Sequence, residues 1–371
     1  MKILVNIARI VVSLTFIFSG FVKAVDPMGT QYKMGDYAAA MGMEGMLPDW
    51  LLLGGAVTLA LVEFVLGVLL LFAISRRLVT KLVLAIMVVM TALTVWIYID
   101  NPVEDCGCFG DALVLSNGAT LMKNVVLLCL ATLLAWKPLL MPRFISLRNQ
   151  WTTYYVAVAA IIGIEAYSLY YLPLIDFRPY KVGANIPKLM EIPEWAEPTV
   201  YETTFIMEKG GERKEFTLED YPDSTWTFID SKTRVIKEGY VPPIHDFEIQ
   251  DARSGEDMTE QILTYEGYTL LLIAPHLEQA DDSHFGEIDQ LYEWCKGKGV
   301  PFYCLTASGR KGIERWIDVT GAEYPFCNVD ETTLKTMIRS NPGLMLLKEG
   351  TIMGKWSYNS LPDPDELGIR N

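Results

Sequence analysis

The stretch Leu51–Ile74, LLLGGAVTLALVEFVLGVLLLFAI, contains a single charged residue, Glu63. A helix of this length crosses the hydrocarbon core of a bilayer, which is about 30 Å thick, at 1.5 Å per residue. Similar apolar runs occupy residues 4–25, 79–99, 120–140 and 152–173. The chain is therefore predicted to be an integral membrane protein with five spans in contact with the lipid bilayer.

The first of these runs has two interpretations. Arg9 and the short apolar core of residues 10–22, followed by Lys23 and Ala24, are also typical of a cleaved signal peptide. We expect a retained helix, for a reason given below. Lys23 lies close to the outer end of this span, where a lysine side chain is expected to extend toward the headgroups.

The charges beside the spans predict the orientation of the chain. The segments 75–81 and 137–150 each carry three Lys or Arg residues, which indicates that they are cytoplasmic. The alternating segments 26–50 and 100–119 are rich in acids and are expected to face outward, together with everything after the fifth span. We therefore expect a bacterial inner-membrane protein with a cytoplasmic N-terminus and a periplasmic C-terminal part.

The net charge of the chain is concentrated in its second half. Of a total of −14, residues 176–371 account for −15, with twenty Lys or Arg residues against thirty-five Asp or Glu residues, and residues 1–175 account for +1. An acidic soluble part argues against nucleic acid as a partner. The sequence also lacks a phosphate-binding loop and the pattern of a hydrolase triad.

Two cysteines separated by one glycine lie in the second outward segment, in the run Asp100-Asn-Pro-Val-Glu-Asp-Cys-Gly-Cys-Phe-Gly-Asp111. Cys106 and Cys108 can be bridged only in a tight ring, which Gly107 permits and which makes a disulfide easy to reduce. We therefore predict a redox-active pair. A structural link and a metal site are the alternatives, although two thiolates fill only half of a tetrahedral zinc shell and no metal is expected.

The acids around this pair are expected to matter for its reactivity. Asp105 and Asp111 should raise the pKa of the thiols, which argues against a strongly activated nucleophile. The remaining cysteines lack a spacing of this kind and are expected to be small buried residues. They are Cys129, Cys295, Cys304 and Cys327.

Several features of the first 140 residues together resemble the DoxX and MauE families of small four-helix membrane proteins. They are the run Phe16-Ile-Phe-Ser-Gly-Phe-Val-Lys23 with Asp26-Pro27, Glu63 in Leu61–Gly67, the loop CGCFGD at 106–111, and Leu121–Leu128. The resemblance favours a retained first helix. MauE-type proteins are associated with periplasmic disulfide formation during the maturation of methylamine dehydrogenase. The resemblance thus implies thiol exchange with a periplasmic protein client at Cys106 and Cys108.

Glu63 lies in mid-span, where a charge costs several kcal/mol unless it is paired, neutralised or hydrated. Two interpretations stay equally open: a group that handles protons or lies beside a quinone, and a protonated carboxyl that hydrogen-bonds another helix. A quinone cofactor is a conjecture, because the bundle lacks the paired C-x-x-C of quinone-linked disulfide oxidases.

From residue 243 onward, predicted strands and helices alternate. The strands are at 245–249, 268–274, 300–307, 326–329, 343–348 and 351–355, and the helices at 258–263, 281–298, 310–319 and 331–339. This segment resembles the thioredoxin-like domains of the TlpA and MauD type, through Asp246-Phe247, Leu270–Ala274 and Asn341-Pro342. In that family the proline at the position of Pro342 is cis.

The segment departs from this family where the active-site Trp-Cys-x-x-Cys belongs. Here the chain reads Pro275-His-Leu-Glu-Gln-Ala-Asp-Asp282, without a thiol, so dithiol exchange by this domain is not expected. A thioredoxin fold without its cysteines commonly keeps the surface that holds an extended partner. Pro342, Pro275 and His276 are therefore candidate partner-binding residues.

The predicted architecture is an α-helical transmembrane bundle followed by an α/β thioredoxin-like periplasmic domain. The predicted parts are a four-helix DoxX/MauE-like domain at 1–148, a fifth helix at 149–175, a linker and small β unit at 176–242, and a thioredoxin-like domain without CxxC at 243–371. Within the third part, residues 182–198 are predicted to be an extended linker, and two hairpins are predicted, with turns at Gly210-Gly211 and at Ser231-Lys232. We predict an inner-membrane thiol–disulfide helper. The alternative is a non-enzymatic, membrane-anchored scaffold in which the cysteines only pin their loop.

Overall fold

The structure is a computed structural model that describes residues 1–103, 106–197, 200–209, 212–217, 225–237, 239–245 and 247–369. The chain divides into two compact units. The larger unit combines Met1–Gly183 with Glu248–Asn371, and the smaller unit is Ala184–Phe247. The larger unit holds both the membrane helices and the C-terminal α/β domain.

The membrane half contains six helices within the described part of the chain. They are α1 Lys2–Val25, α2 Pro27–Ala40, α3 Asp49–Leu71, α4 Arg76–Asp100, α5 Asn117–Trp136 and α6 Gln150–Tyr170. All except α2 are long and apolar enough to cross a membrane. The five predicted spans are therefore confirmed.

The helix α2 lies in a segment that was predicted to be a loop. Asp26 caps its N-terminus, since the Asp26 carboxylate accepts a 2.8 Å hydrogen bond from the Gly29 backbone N–H. Pro27 occupies the first turn, where its fixed φ suits a helix. The Asp-Pro pair was thus a helix-start signal that the interpretation of this segment missed.

Close packing of α1 against α3 forms the centre of the bundle. A Cβ added at Gly20 would lie 2.5 Å from the Phe64 backbone nitrogen, and one added at Gly67 would lie 2.7 Å from the Ile17 nitrogen. Helices in lipid associate through small residues of this kind, because the contact depends on van der Waals packing and not on exclusion of water.

The two ends of the bundle differ in what they hold. At one end, Arg76 donates to the Met141 carbonyl at 2.5 Å and Arg9 donates to the Pro142 carbonyl at 3.4 Å, so the two basic segments come together. The opposite end carries α2, the Cys106–Cys108 loop and the C-terminal domain. This grouping of basic and acidic segments agrees with the predicted alternation of loops.

The smaller unit contains a three-stranded antiparallel sheet among its described residues. Its order is β2-β1-β3, with β1 Val200–Lys209, β2 Glu212–Phe216 and β3 Thr227–Lys237. The predicted turn at 210–211 lies outside the described residues. The predicted second hairpin around Ser231-Lys232 is wrong, because β3 is one strand in which Ser231 pairs with Phe205.

The segment before this sheet was predicted to be an extended linker, at residues 182–198. It includes one short helix, α7 Ile186–Met190. Asn185 caps this helix by accepting a 3.1 Å hydrogen bond from the Lys188 N–H, and Pro187 lies in its first turn. The same Asx-and-proline start signal therefore operates at α2 and at α7.

The C-terminal domain is a mixed sheet flanked by helices. The sheet, as far as the structure describes it, has the order β4-β7-β6-β5-β8-β9, with β4 Gln250–Asp251, β5 Tyr268–Ile273, β6 Phe302–Thr306, β7 Phe326–Asn328, β8 Gly343–Lys348 and β9 Thr351–Ser357. The helices are α8 Thr259–Leu263, α9 Phe285–Lys298, α10 Arg310–Thr320 and α11 Glu331–Met337. Neighbours β5, β6 and β7 are parallel, whereas β8 and β9 are antiparallel.

Most of the predicted elements of this domain are present, with one exception. The strand predicted at 245–249 is absent among the residues described there, and only Gln250–Asp251 pair, with β7. Asp246 lies outside the described residues. The Asn341-Pro342 peptide bond is cis, as predicted.

Replacing Gly67 by Ala should destabilise the bundle by about 1–3 kcal/mol, because the new methyl group would overlap the α1 backbone. The matched control is Gly54→Ala on the same helix, where an added Cβ meets nothing within 4 Å. Unfolding of both variants in mixed detergent–SDS micelles measures the difference. Equal stabilities would contradict the close α1–α3 contact.

Candidate functional site

Cys106 and Cys108 lie in the loop between α4 and α5. Asn117, at the start of α5, holds the first part of this loop by donating to Asn101 Oδ1 at 2.7 Å and to the Val103 carbonyl at 3.0 Å. The two sulfur atoms are hydrogen-bonded at 2.9 Å, and both residues are free cysteines. The sequence-predicted pair therefore lies close enough to form a disulfide after an approach of about 1 Å.

A positive φ at Gly107 produces this proximity. The φ angle of Gly107 is +59°, in the left-handed region that glycine tolerates best. The aliphatic part of Lys33 on α2 packs here, since a Cβ added at Gly107 would lie 2.9 Å from Lys33 Cγ. A glycine between the cysteines thus allows both the turn and the contact with α2.

Lys23 on α1 holds the Cys106–Cys108 loop by hydrogen bonding. Its ammonium group donates to the Cys108 carbonyl at 2.9 Å, to Ser19 Oγ at 2.6 Å and to Glu63 Oε2 at 2.8 Å. Ser19 also donates to the Cys108 carbonyl, at 2.8 Å. One buried lysine therefore connects α1, α3 and the redox pair.

The structure corrects the predicted position of the Lys23 side chain and identifies the partner of Glu63. Lys23 is only 4% exposed, so it does not extend to the headgroups as expected. Glu63 is equally buried and does bond another helix, as one of its two interpretations required, but its partner is the Lys23 ammonium group. A buried ion pair of this kind is retained in a membrane because each charge compensates the other.

The surroundings shift the pKa values of the two thiols in opposite directions. The hydrogen bond from Cys106, followed by the nearby Lys123 and Lys23, lowers the pKa of Cys108 to about 6 against the opposing effect of burial. The hydrogen bond with Cys108 and burial raise the pKa of Cys106. The geometry therefore favours ionisation of Cys108 over that of Cys106.

The expected effect of the neighbouring acids is not what governs Cys108. Asp105 lies outside the described residues. Asp111 lies 3.6 Å from the guanidinium of Arg339, which offsets its charge. Because the hydrogen bond from Cys106 and the nearby Lys123 and Lys23 lower the pKa of Cys108, the expectation that acids would raise the pKa of both thiols is wrong for this cysteine.

Aromatic and hydroxyl groups complete the surroundings of the pair. Tyr37 on α2 donates a short hydrogen bond to the Cys106 carbonyl. Phe109 packs on Phe18, with ring centroids 5.4 Å apart, and the Lys123 ammonium lies 4.0 Å from the Phe109 ring centre. These contacts fix the loop on both sides of the cysteines.

The C-terminal domain reaches this loop through Arg339, which follows α11. Its Nε lies 3.0 and 2.9 Å from the two carboxylate oxygens of Asp26, the residue that caps α2. Arg339 is 7% exposed. Since a buried arginine needs a compensating carboxylate, this ion pair fixes the domain on the outer end of the bundle.

A second polar contact joins the segment after α6 to β9. Asp176 accepts from Arg178 and from Lys355, each at 2.8 Å. Burial, together with the neighbouring Arg178, lowers the pKa of Lys355 to about 8 in spite of Asp176. The carbonyl of Tyr170 also accepts from Ser357, at 3.2 Å.

A cavity of about 320 Å³ lies beside the two cysteines. Apolar side chains from the span ends near the Cys106–Cys108 loop line most of it, and charged side chains such as Lys23, Lys33 and Arg339 also border it. The apolar lining includes Val22, Leu59, Val89, Met90, Leu93 and Ile175, and both cysteines border it. An apolar space with a few convergent polar groups is typical of a small-molecule site.

The candidate partner-binding residues do not line the cavity beside the two cysteines. His276 pairs with Glu331 at 2.9 Å, and the His276 carbonyl accepts from Asn341 Nδ2 at 2.8 Å. Pro275 and His276 border a different cleft, and Pro342 is buried. The structure therefore does not bring them together with Cys106 and Cys108.

The other cysteines divide into two kinds. Cys295, Cys304 and Cys327 are buried, as predicted, and burial raises the pKa of each thiol. Cys129 is exposed on α5, so its prediction as a buried residue is wrong. The described part of the chain contains no group of three or more potential metal ligands.

Alkylation of the reduced protein should show a midpoint near pH 6 at Cys108, since the thiolate is the reacting form. Iodoacetamide labelling from pH 4 to 9, followed by peptide mass spectrometry, measures this. The variant Cys106→Ala removes the hydrogen-bond donor and should move the midpoint upward. A wild-type midpoint near the ordinary value of about 8.5 would contradict the assignment.

Replacing Lys23 by Met should destabilise the protein by about 3–5 kcal/mol, because it leaves Glu63 buried without its partner. The double variant Lys23→Met/Glu63→Leu should recover most of this loss, yet keep a raised alkylation midpoint at Cys108. Unfolding in SDS and the alkylation profile measure the two effects separately. A double variant as unstable as the single one would argue against the ion pair.

The comparisons with known proteins concern two segments. Residues 1–137 match the family described as methylamine utilisation protein MauE. Residues 201–238 match a domain of unknown function, DUF8463. No curated protein matches this chain. The chain is thus a multi-pass membrane protein whose residues 1–137, including both cysteines of the candidate site, match the MauE family.

Proposed function

We propose that this chain is a membrane thiol–disulfide exchange protein in which Cys106 and Cys108 are the working pair. The observation that carries the proposal is the 2.9 Å contact between the two sulfurs, in a loop whose Cys108 carbonyl is held by Lys23 and Ser19. A loop that only needed pinning would not require two thiols on the border of a cavity.

The exchange itself conserves electrons and atoms. A client thiolate attacks one sulfur of the Cys106–Cys108 disulfide, and the other cysteine leaves as a thiolate. A second client thiol then completes the client disulfide and leaves the protein pair reduced. Because a thiol of low pKa leaves faster, we expect Cys108 to be the sulfur that is expelled.

The match to MauE supports this chemistry. The family takes its name from methylamine utilisation, and its match includes the Cys106-Gly107-Cys108 loop. We extend to this chain the exchange chemistry, with a periplasmic protein as the client. The placement of this loop and the C-terminal domain at the same end of the bundle supports a bacterial inner-membrane protein with a cytoplasmic N-terminus and a periplasmic domain.

A thioredoxin-like fold is part of the proposal for the C-terminal domain. Three parallel strands followed by an antiparallel pair, with cis-Pro342 just before β8, support it. The segment Pro275–Asp282 has no cysteine, and the three cysteines of the domain are buried. We therefore assign the domain a binding role and leave the exchange to the membrane half.

The reduced pair needs an acceptor of two electrons and two protons. A quinone is the class that the apolar cavity fits, because span residues such as Leu59, Met90 and Leu93 line it. These side chains would hold the ring, and Tyr37 and Lys33 supply polar groups on the same border. When bound, a quinone would accept the electrons of the dithiol.

The competing proposal is a non-enzymatic scaffold. The observation that favours it is the ion pair between Arg339 and Asp26, through which a C-terminal domain without a C-x-x-C motif docks onto the bundle. Under this alternative, the dithiol only stabilises its loop, and the C-terminal domain binds a partner.

The reduction potential of the Cys106/Cys108 pair separates the two proposals. Quantitative thiol alkylation across glutathione buffers should give a value above about −250 mV, in the range of exchange-competent disulfides. In cells, Cys106→Ser/Cys108→Ser should leave periplasmic client thiols reduced. A potential below about −300 mV, or normal client oxidation in the variant, would support the scaffold.

A further inference from the structure

A second, larger cleft lies next to the redox cavity. It has a volume of about 820 Å³, and polar and apolar side chains line it in similar measure. One wall consists of α2 and the segment that follows it. The opposite wall consists of Pro275–Gln279, α11 and residues 338–341 of the C-terminal domain.

The cleft and the redox cavity share part of their lining. Gly29, Lys33, Asp111 and Arg339 border both spaces. The aliphatic part of Lys33 also lies against Gly107, between the two cysteines. The Lys33 side chain therefore lies between the cleft and the two cysteines. Because a lysine side chain has many rotamers, Lys33 can move and connect the two spaces.

The charges of the cleft are unbalanced. On the wall of the C-terminal domain, Lys335 and His276 pair with Glu331. On the wall formed by α2, the segment after it and the start of α3, the lining carboxylates Asp36, Glu44 and Asp49 are exposed. Among the residues that the structure describes, none of these three has an ion-pair partner, so the cleft offers unpaired negative charge.

We propose that this cleft binds an extended, positively charged segment of the client and directs its cysteines to Cys106 and Cys108. The inference rests on the proposed exchange function. The size and lining favour a peptide over a small molecule, because the cleft has a volume of about 820 Å³ and is lined by polar and apolar side chains in similar measure. The unpaired carboxylates on the wall of α2 and the residues after it favour basic residues beside the client cysteines.

The exchange step in this cleft is balanced. A thiolate of the bound segment attacks the Cys106–Cys108 disulfide once Lys33 has moved aside, which forms a mixed disulfide and releases one protein thiolate. The second thiol of the segment then displaces the protein sulfur. The client leaves with a disulfide, and the protein keeps two reduced cysteines.

The probes are two 12-residue reduced peptides, each with two cysteines, one rich in lysine and one rich in glutamate. Full-length protein, oxidised beforehand, is mixed with each peptide or with dithiothreitol, and the appearance of protein thiols is followed in a single turnover. The lysine peptide should react about tenfold faster than the glutamate peptide. The preference should shrink in about 1 M salt, where the Debye length is about 3 Å.

Two pairs of variants test the location. Ala39→Trp should obstruct the cleft, whereas Ala40→Trp is the matched control, since both alanines are exposed on α2 and only Ala39 lines the cleft. Asp36→Asn/Glu44→Gln should reduce the lysine preference below about twofold. Asp318→Asn, at an exposed aspartate of α10 outside the cleft, should leave the preference unchanged.

The reaction with dithiothreitol distinguishes a failure of the cleft assignment from a failure of the proposed exchange function. Support for the cleft is a tenfold loss of peptide reaction in Ala39→Trp with a dithiothreitol rate within twofold of wild type. A normal peptide rate in Ala39→Trp, or equal losses with both reductants, would overturn the cleft alone. If wild type reacts with neither the peptides nor dithiothreitol, the proposed exchange function fails, and the cleft assignment fails with it.

Discussion

The hydrogen bonds of one buried ammonium group, that of Lys23, hold together the parts on which this protein depends. A charge within a membrane span must be compensated, and Glu63 on α3 supplies the compensating carboxylate at 2.8 Å. The same ammonium group donates to the Cys108 carbonyl. The requirement to neutralise one lysine therefore fixes α1 against α3 and also fixes the position of the Cys106–Cys108 loop. The close approach at Gly20 and Gly67 makes this geometry accessible.

A second constraint acts at the outer end of the bundle, where Arg339 of the C-terminal domain is buried against Asp26. Asp26 already caps α2, so one carboxylate serves both the helix and the docking of the domain. The docked domain adds Arg339 to the border of the cavity beside the two cysteines and forms one wall of the neighbouring cleft. Two spaces of different character therefore lie next to each other, an apolar cavity that Cys106 and Cys108 border and a cleft with unpaired acids.

Local sequence signals predicted elements well where they were strong. The five spans and most elements of the C-terminal sheet were predicted from runs of apolar residues, and these runs form the predicted elements in the tertiary structure. The errors occurred where a weak local signal competed with pairing. Ser231-Lys232 resembled a turn, yet these residues pair with β1 inside a continuous strand. The helix α2 was missed because its composition is neither strongly apolar nor strongly periodic, although Asp26-Pro27 marked its start.

By itself, the sequence determined the membrane class of the protein, the position of its spans and the two cysteines of the candidate site. These features depend on local composition and on a spacing of two residues, which no fold can change. Only the tertiary structure decided the partner of Glu63, the low pKa of Cys108 and the role of Arg339. The two ion pairs join residues that are far apart in the chain, Lys23 with Glu63 and Asp26 with Arg339, and the pKa of Cys108 depends on how the fold orients the Cys106 thiol and brings Lys123 near it. Electrostatic and hydrogen-bond energies fall off with distance in space, and separation along the chain does not predict that distance.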